Sequence, residues 1–328
     1  MPSPLPLLFL GNSYTMNHAL DQLVATMLAE GSGQSWEASR LTSGGLTLET
    51  HLARVEGEHD DWVTALASKD AQWSWVFLQE QSQIPGFPEH NSYVQGSLSA
   101  ASGLTDYATA RDAQAVFLMT WGRRDGDSQN SERYPDFTTM QDRLAEGYLR
   151  YVETNSTPER PVWIAPAGLA WQHIHDALLA DGQDPLDDGS LFTTLYASDG
   201  SHPSVAGNHL NAAVIYATLT GLSPVGLTDP SGQLDAETTA ALQEAAAAVV
   251  LGDSPDILYP WEDEDPGDTE DDTEDDADTA DPGDTEDESS PEDDSDGESA
   301  PPESTGCRSS RAAVLPLLPL LLLGMRRR

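Results

Sequence analysis

"LFLGNSYTMNHAL" occupies residues 8–20. An apolar run of strand length stops at Gly11. Asn12 and Ser13 then separate it from an amphipathic stretch. A continuous apolar run suits a strand covered on both faces, as in a parallel sheet flanked by helices. In such sheets functional residues collect on the loops just past the C-terminal strand ends. Ser13 falls there. Its hydroxyl is placed for nucleophilic attack, and a helix N-terminus beside it offers N–H groups to a developing oxyanion. The competing reading is that Ser13 or Thr15 only caps the helix that follows.

The same pattern repeats outward from this stretch. Strand-length apolar runs lie at Leu5–Leu10, Trp75–Leu78, Ala115–Thr120 and Val162–Ala165, with a weaker one near Trp36–Leu41. Helical periodicity covers Met16–Ala29, Leu46–Ala67 (broken near Gly57), Ser97–Arg111, Phe137–Glu153, Leu169–Ala180, Val205–Leu219 and Ala236–Val250. Short apolar strands alternating with helices predict βαβ units, an α/β class and a mainly parallel sheet.

Composition divides the 328-residue chain. Its formal net charge is −41, with 56 acidic against 15 basic residues. Residues 262–305 contain no Lys or Arg and are about half Asp and Glu, and "DPGDTED" occurs twice, at Asp265–Asp271 and Asp281–Asp287. Such a segment cannot bury enough apolar surface to offset its ordering entropy, so it reads as a disordered, self-repelling spacer. Weak Ca²⁺ binding by its carboxylates is the other reading, but the glycine spacing of an EF-hand loop is absent. Residues 1–261 remain as one domain, large enough for a sizeable core. The acidic balance excludes a nucleic-acid partner, which requires basic patches. The single cysteine, Cys307, permits no intrachain disulfide.

Residues 306–328, "GCRSSRAAVLPLLPLLLLGMRRR", set Cys307 before an apolar run and a terminal arginine cluster. The run is short for a full membrane span of about 20 residues and contains Pro316 and Pro319. This order resembles the MYXO-CTERM class of bacterial sorting tails. The resemblance implies export, processing near Cys307 by sorting machinery and anchoring at the cell surface, with membrane contact only through the tail. "MPSPLPLLFL" shows no basic n-region and no A-x-A-like cleavage site, so export would place the true start upstream of Met1.

A second stretch changes the weight on Ser13. "YASDGSHPSVAGNHL", residues 196–210, holds Asp199 and His202 three apart in one short turn before a helix. A serine hydroxyl needs a base to become a nucleophile. An imidazole supplies one near neutral pH, and a carboxylate fixes its tautomer. Alone, Asp-x-x-His is a common turn and cap. Paired with a strand–Gly-Asn-Ser–helix start, it forms a candidate triad.

"FLGNSYT" and "SDGSHPS" resemble the first and last blocks of the SGNH (GDSL-like) hydrolase family, over about residues 5–220. The resemblance implies a three-layer α/β/α flavodoxin-like fold with a mainly parallel five-stranded sheet. It implies acyl transfer by Ser13, His202 and Asp199, with no metal or organic cofactor. The Ser13 N–H would serve the oxyanion hole. "LTSGGLTLETHL" matches the family's second block, with Gly45 favoured over Gly44 as an N–H donor. The third block departs from the usual G-x-N-D: "WVFLQEQSQIP" puts Gln81 at the Asn position, with Gln79 as the alternative. It looks more like an L-Q-x-x-S subgroup.

Other polar residues carry weaker expectations. "TWGRRDGD" (residues 120–127) and "PAGLAWQHI" follow strands on the same edge, so Trp121, Arg123, Arg124 and Trp171 are candidate substrate contacts. His51 reads as a cleft residue or a buttress. His18 and His209 read as helix-surface residues, and His173 and His175, two apart, do not share a helix face as metal ligands would. The expected substrate is a small ester, such as an O-acetyl group on carbohydrate. A catalytically silent glycan-binding surface domain and a lipid-ester hydrolase are the alternatives, and the loop "IPGFPEHNSYVQG" at residues 84–96 would shape the pocket in the latter.

Overall fold

The computed structural model describes residues 3–252 and 257–262. The expected spacer (beyond Glu262) and the tail with Cys307 lie outside the described residues. Among these no helix is long and apolar enough to cross a membrane.

Along the chain run β1 (Leu5–Gly11), α1 (Ser13–Met16), α2 (Leu20–Ser32), β2 (Trp36–Thr42), α3 (Leu48–Glu56), α4 (Asp60–Trp62) and β3 (Trp75–Leu78). They are followed by α5 (Ser92–Thr109), β4 (Gln114–Leu118), α6 (Phe137–Asn155), β5 (Trp163–Ala165) and α7 (Ala167–Ala180). The domain closes with α8 (Leu191–Thr194), α9 (Val205–Thr220) and α10 (Ala236–Val250). The strands form one all-parallel sheet in the order β2-β1-β3-β4-β5. This is the flavodoxin-like doubly wound order, whose ligand crevice lies where the strand order reverses, between β1 and β3. Right-handed crossovers put α2 on one face and α3, α5 and α6 on the other. Helices α9, α10 and α7 pack against one another, and α9 packs on α2.

The strands are buried through their centres: Leu7–Leu10, Val76–Leu78, Val116–Leu118 and Ala165 are essentially inaccessible. Phe9 and Phe77 stack across the β1–β3 pair at 4.3 Å. Burying each such side chain contributes about 1.5–3 kcal/mol. The register brings the strands to one level, with Gly11 beside Thr42, Leu10 beside Leu78, and Leu118 beside Ala165. Asn12, Ser43, Gln79, Met119 and Pro166 therefore begin their loops along a single edge.

Two expectations are corrected by the fold. The helix read over Met16–Ala29 is two helices, because His18 and Ala19 adopt left-handed backbone (φ 52° and 51°) and break the chain between α1 and α2. That break frees a one-turn α1 to carry Ser13 by itself. His209 is not on a helix surface. Helix α9 is buried almost all round, and His209 is fully inaccessible, with its Nδ1 3.5 Å from Asp229.

Candidate active site

The last residue of β1, Gly11, stands where a larger residue has no room: a Cβ there would lie 2.5 Å from Thr15 Oγ1 and 2.7 Å from Gln79 Oε1. Asn12 caps α1, its Oδ1 accepting from the Tyr14 N–H at 3.1 Å. The cap is thus Asn12 and neither Ser13 nor Thr15, so the Ser13 hydroxyl is left for other partners. Asn12 also ties three loops together. Its N–H donates to Gln79 Oε1 at 3.0 Å, and its Nδ2–H to the carbonyls of Leu46 at 3.0 Å and Glu80 at 3.4 Å.

From the other end of the domain, the Asp199–His202 turn folds over Ser13. The turn is closed by Ala197 N–H donating to the His202 carbonyl at 2.8 Å, and Gly200 takes the left-handed conformation (φ 66°) that it needs. Ser13 Oγ lies 2.8 Å from His202 Nε2, and His202 Nδ1 lies 2.5 Å from Asp199 Oδ2. The second oxygen, Oδ1, accepts the N–H groups of Ser201 at 3.0 Å and His202 at 2.9 Å. Burial pushes the Asp199 carboxyl upward, but the imidazole hydrogen bond and these two N–H groups outweigh it and bring the pKa down to about 2. An ionised Asp199 holds the proton on Nδ1, which leaves the Nε2 lone pair facing the serine.

The Ser13 and Gly45 N–H groups donate to no acceptor among the described residues. Gly45, with φ 70°, lines a cavity of about 230 Å³ together with Asn12, Ser13, Tyr14, Gln81, Ser82, Arg123, Ser201 and His202. Gly44 does not line it. Positive φ is costly for any residue with a Cβ, so glycine suits this position.

The two glutamines separate cleanly. Gln79 is buried beneath the loop, its Oε1 accepting from Asn12 N–H and from Thr15 Oγ1 at 2.9 Å, and its Nε2 donating to the Glu80 carbonyl. It does not reach the cavity. Gln81 lines the cavity, and its Nε2 donates to Gln83 Oε1 at 3.0 Å. On the expectation that the Gln81 amide donates to an oxyanion, Gln81→Ala should lower kcat by about 10²–10³-fold with an unchanged melting temperature. Gln79→Ala is expected to lower the melting temperature instead, since it strands buried donors worth about 1–3 kcal/mol each. Steady-state kinetics beside thermal melts checks both.

Neither tryptophan is a substrate contact. Trp121 and Trp171 are fully buried and stack on each other at 4.4 Å with their ring planes nearly parallel. Their indole N–H groups donate inward, to the Ser201 carbonyl at 3.0 Å and to Asn211 Oδ1 at 2.8 Å. Tyr14 continues the stack onto Trp121 at 4.8 Å and meets the His202 ring edge-on at 5.3 Å. The aromatic column is the floor under the site. Arg123 does reach the cleft, paired with the buried Asp127 at 2.6 Å. Arg124 pairs with Asp125 at 2.7 Å on the surface. His51 is a buttress: its Nε2–H donates to the Gly11 carbonyl and its Nδ1 accepts from Trp62, both at 3.0 Å. Burial holds its pKa down to about 4, so it is neutral. Among the described residues no three His, Cys, Asp or Glu side chains converge as metal ligands.

Reading from residues alone missed Tyr14, Ser201, Asp127 and Glu80. Tyr14 Oη lies 2.6 Å from Ser201 Oγ under the cavity. The available signal for Glu80 was a carboxylate two residues past an apolar strand, where burial is costly without partners.

No family model matches the chain, and no curated protein matches it. Solved structures do. A DUF4886 family protein from Bacteroides uniformis is 18% identical, covering 79% of this chain and 98% of that one, with a TM-score of 0.59. A candidate SGNH hydrolase from Slackia heliotrinireducens is 25% identical, covering 66% and 99%, with a TM-score of 0.49. An acetylxylan esterase from Geobacillus stearothermophilus is 16% identical, covering 65% and 93%, with a TM-score of 0.44. The first of these likenesses agrees with the all-parallel α/β architecture.

Proposed function

We propose that this protein is a serine esterase of SGNH type. The observation that carries the reading is the unbroken row Ser13 Oγ–His202 Nε2 (2.8 Å) and His202 Nδ1–Asp199 Oδ2 (2.5 Å), at the C-terminal edge of a parallel sheet. His202 removes the Ser13 proton as Oγ attacks an ester carbonyl. The tetrahedral oxyanion is met by the Ser13 and Gly45 N–H groups and the Gln81 amide. His202 then gives its proton to the departing alcohol. Water, deprotonated by His202 in turn, releases the acid from the acyl-enzyme. Asp199 stays ionised and stabilises the imidazolium throughout.

The cleft supports a small acyl group on a polar alcohol. The cavity at Ser13 is about 230 Å³ and adjoins one of about 480 Å³, the two sharing Arg123, Ser201 and His202 as a common wall. The larger is walled by Asp125, Ser128, Ser131 and Asp199 among others, hydrogen-bonding groups suited to a carbohydrate hydroxyl face. The sequence of the C-terminal tail supports display of this domain at a bacterial cell surface, with Cys307 as the processing point.

An alkyl fluorophosphonate offered to the full chain tests the triad. It is expected to add its phosphonyl mass to the Ser13 peptide, with labelling lost in His202→Ala. Labelling elsewhere, or labelling that ignores His202, overturns the reading.

A further inference from the structure

Glu80 is fully buried two residues past the end of β3, and the acyl-transfer steps do not use it. Its partners are unusual in where they come from. Both carboxyl oxygens face the Leu48 N–H, at 3.2 and 3.3 Å, and Oε1 also accepts the Gln81 N–H at 2.5 Å. The Ser97 hydroxyl of α5 donates to Oε2, and Tyr151 Oη of α6 lies 2.6 Å from Ser97 Oγ. Leu48 is the first residue of α3, where the backbone N–H has no partner within the helix.

These contacts frame the oxyanion side of the cleft. Residues 43–47, which carry Gly45, join β2 to α3. They are held at the start by the Gly11–Thr42 pairing and in the middle by Asn12 on the Leu46 carbonyl. At the far end they are held by Glu80 on Leu48. The same carboxyl grips the backbone of Gln81, whose side chain lines the cavity. We propose that Glu80 is the positioning residue of the oxyanion hole: one buried carboxyl sets the Gly45 loop and Gln81 at a fixed spacing from Ser13. The proposal rests on the serine-esterase reading.

Burial pushes the Glu80 pKa up to about 7, against the hydrogen bonds from Ser97, Gln81 and Leu48. When the carboxyl is protonated, Oε1 still accepts both N–H groups, and the Oε2 hydroxyl donates to Ser97 Oγ, whose own hydroxyl turns to Tyr151 Oη. A glutamine reproduces that pattern, with its Nε2 donating to Ser97. An alanine removes it.

The test uses the full chain, p-nitrophenyl acetate kinetics and amide hydrogen exchange. Glu80→Ala is expected to lower kcat by about 10–100-fold with KM within about threefold, a partial loss of the oxyanion contribution. Exchange should quicken across residues 43–48 and at Gln81. Glu80→Gln should restore both to within about threefold of wild type. Leu104→Ala, in the core of α5, controls for general loss of stability and should leave kcat unchanged below its melting temperature. Should Glu80→Ala fail to fold, Glu80→Asp takes its place, since it keeps the carboxyl but shortens the reach, and its kcat should fall below that of Glu80→Gln. The proposal is overturned by unchanged kcat or unchanged exchange in the shortened variant, by failure of Glu80→Gln to rescue, or by an equal kcat loss in Leu104→Ala. Ser13-dependent turnover at an undiminished kcat in Glu80→Ala sinks this proposal alone. A wild type with no Ser13-dependent turnover sinks the esterase reading and this proposal with it.

Discussion

Ser13→Ala is expected to lower kcat/KM for p-nitrophenyl acetate by about 10⁴–10⁶-fold, the loss seen when a nucleophile is removed from a working triad. The folded state should hardly notice. Ser13 is half-buried, its hydroxyl partner is His202, and the helix cap is supplied by Asn12. The melting temperature should therefore stay within a few degrees of wild type, because no buried group loses a hydrogen bond it cannot replace with water. His202→Ala should fall to a similar rate, and the double variant should be no slower than either single one. Residues that act as a unit lose their whole contribution when the first is removed. Additive losses would mean that Ser13 and His202 act separately, and a Ser13→Ala variant as fast as wild type would place the nucleophile elsewhere.

The features visible in the sequence were those set by local pattern. Continuous apolar runs are buried strands because both sheet faces are covered, and each of the five strand readings meets a strand of the sheet. Gly-Asn-Ser and Asp-x-x-His are local too: a tight strand-to-helix turn and a closed turn leave few residue choices. What escaped depends on where distant segments arrive. Trp121 follows a strand on the functional edge, but Tyr14 and Trp171 close over it, and nothing within residues 120–127 announces them. His209 reads as surface only if α9 has a polar face, and that helix is enclosed by α2, α7 and α10. An almost wholly apolar helix with isolated polar residues is the available warning. Glu80 became intelligible only once the N-terminus of α3 stood over the end of β3, a pairing of residues 32 apart in the chain.

Asp199→Asn should lower kcat by about 10³–10⁴-fold with little change in KM, although it alters a single atom. Oδ1 would still accept the Ser201 and His202 N–H groups, so the turn keeps its shape. The new NH₂ would replace Oδ2 against His202 Nδ1, which now must accept rather than donate. The imidazole proton moves to Nε2 and points at Ser13 Oγ. A nitrogen that already carries a proton cannot take another from the serine, so the base is lost while the geometry survives. The pH dependence follows from the same carboxyl. Its pKa is depressed to about 2, so its stabilisation is present above the ordinary carboxylate range and is lost as pH falls through about 2. Asp199 is thus ionised at any pH of an ordinary esterase assay, and an acid limb above about pH 4 in the wild-type profile does not arise from it. An asparagine variant that keeps kcat within tenfold of wild type from pH 5 to 9 would show that Asp199 only shapes the turn. A loss of the expected size, with the melting temperature preserved, would show that it sets the tautomer on which the attack by Ser13 depends.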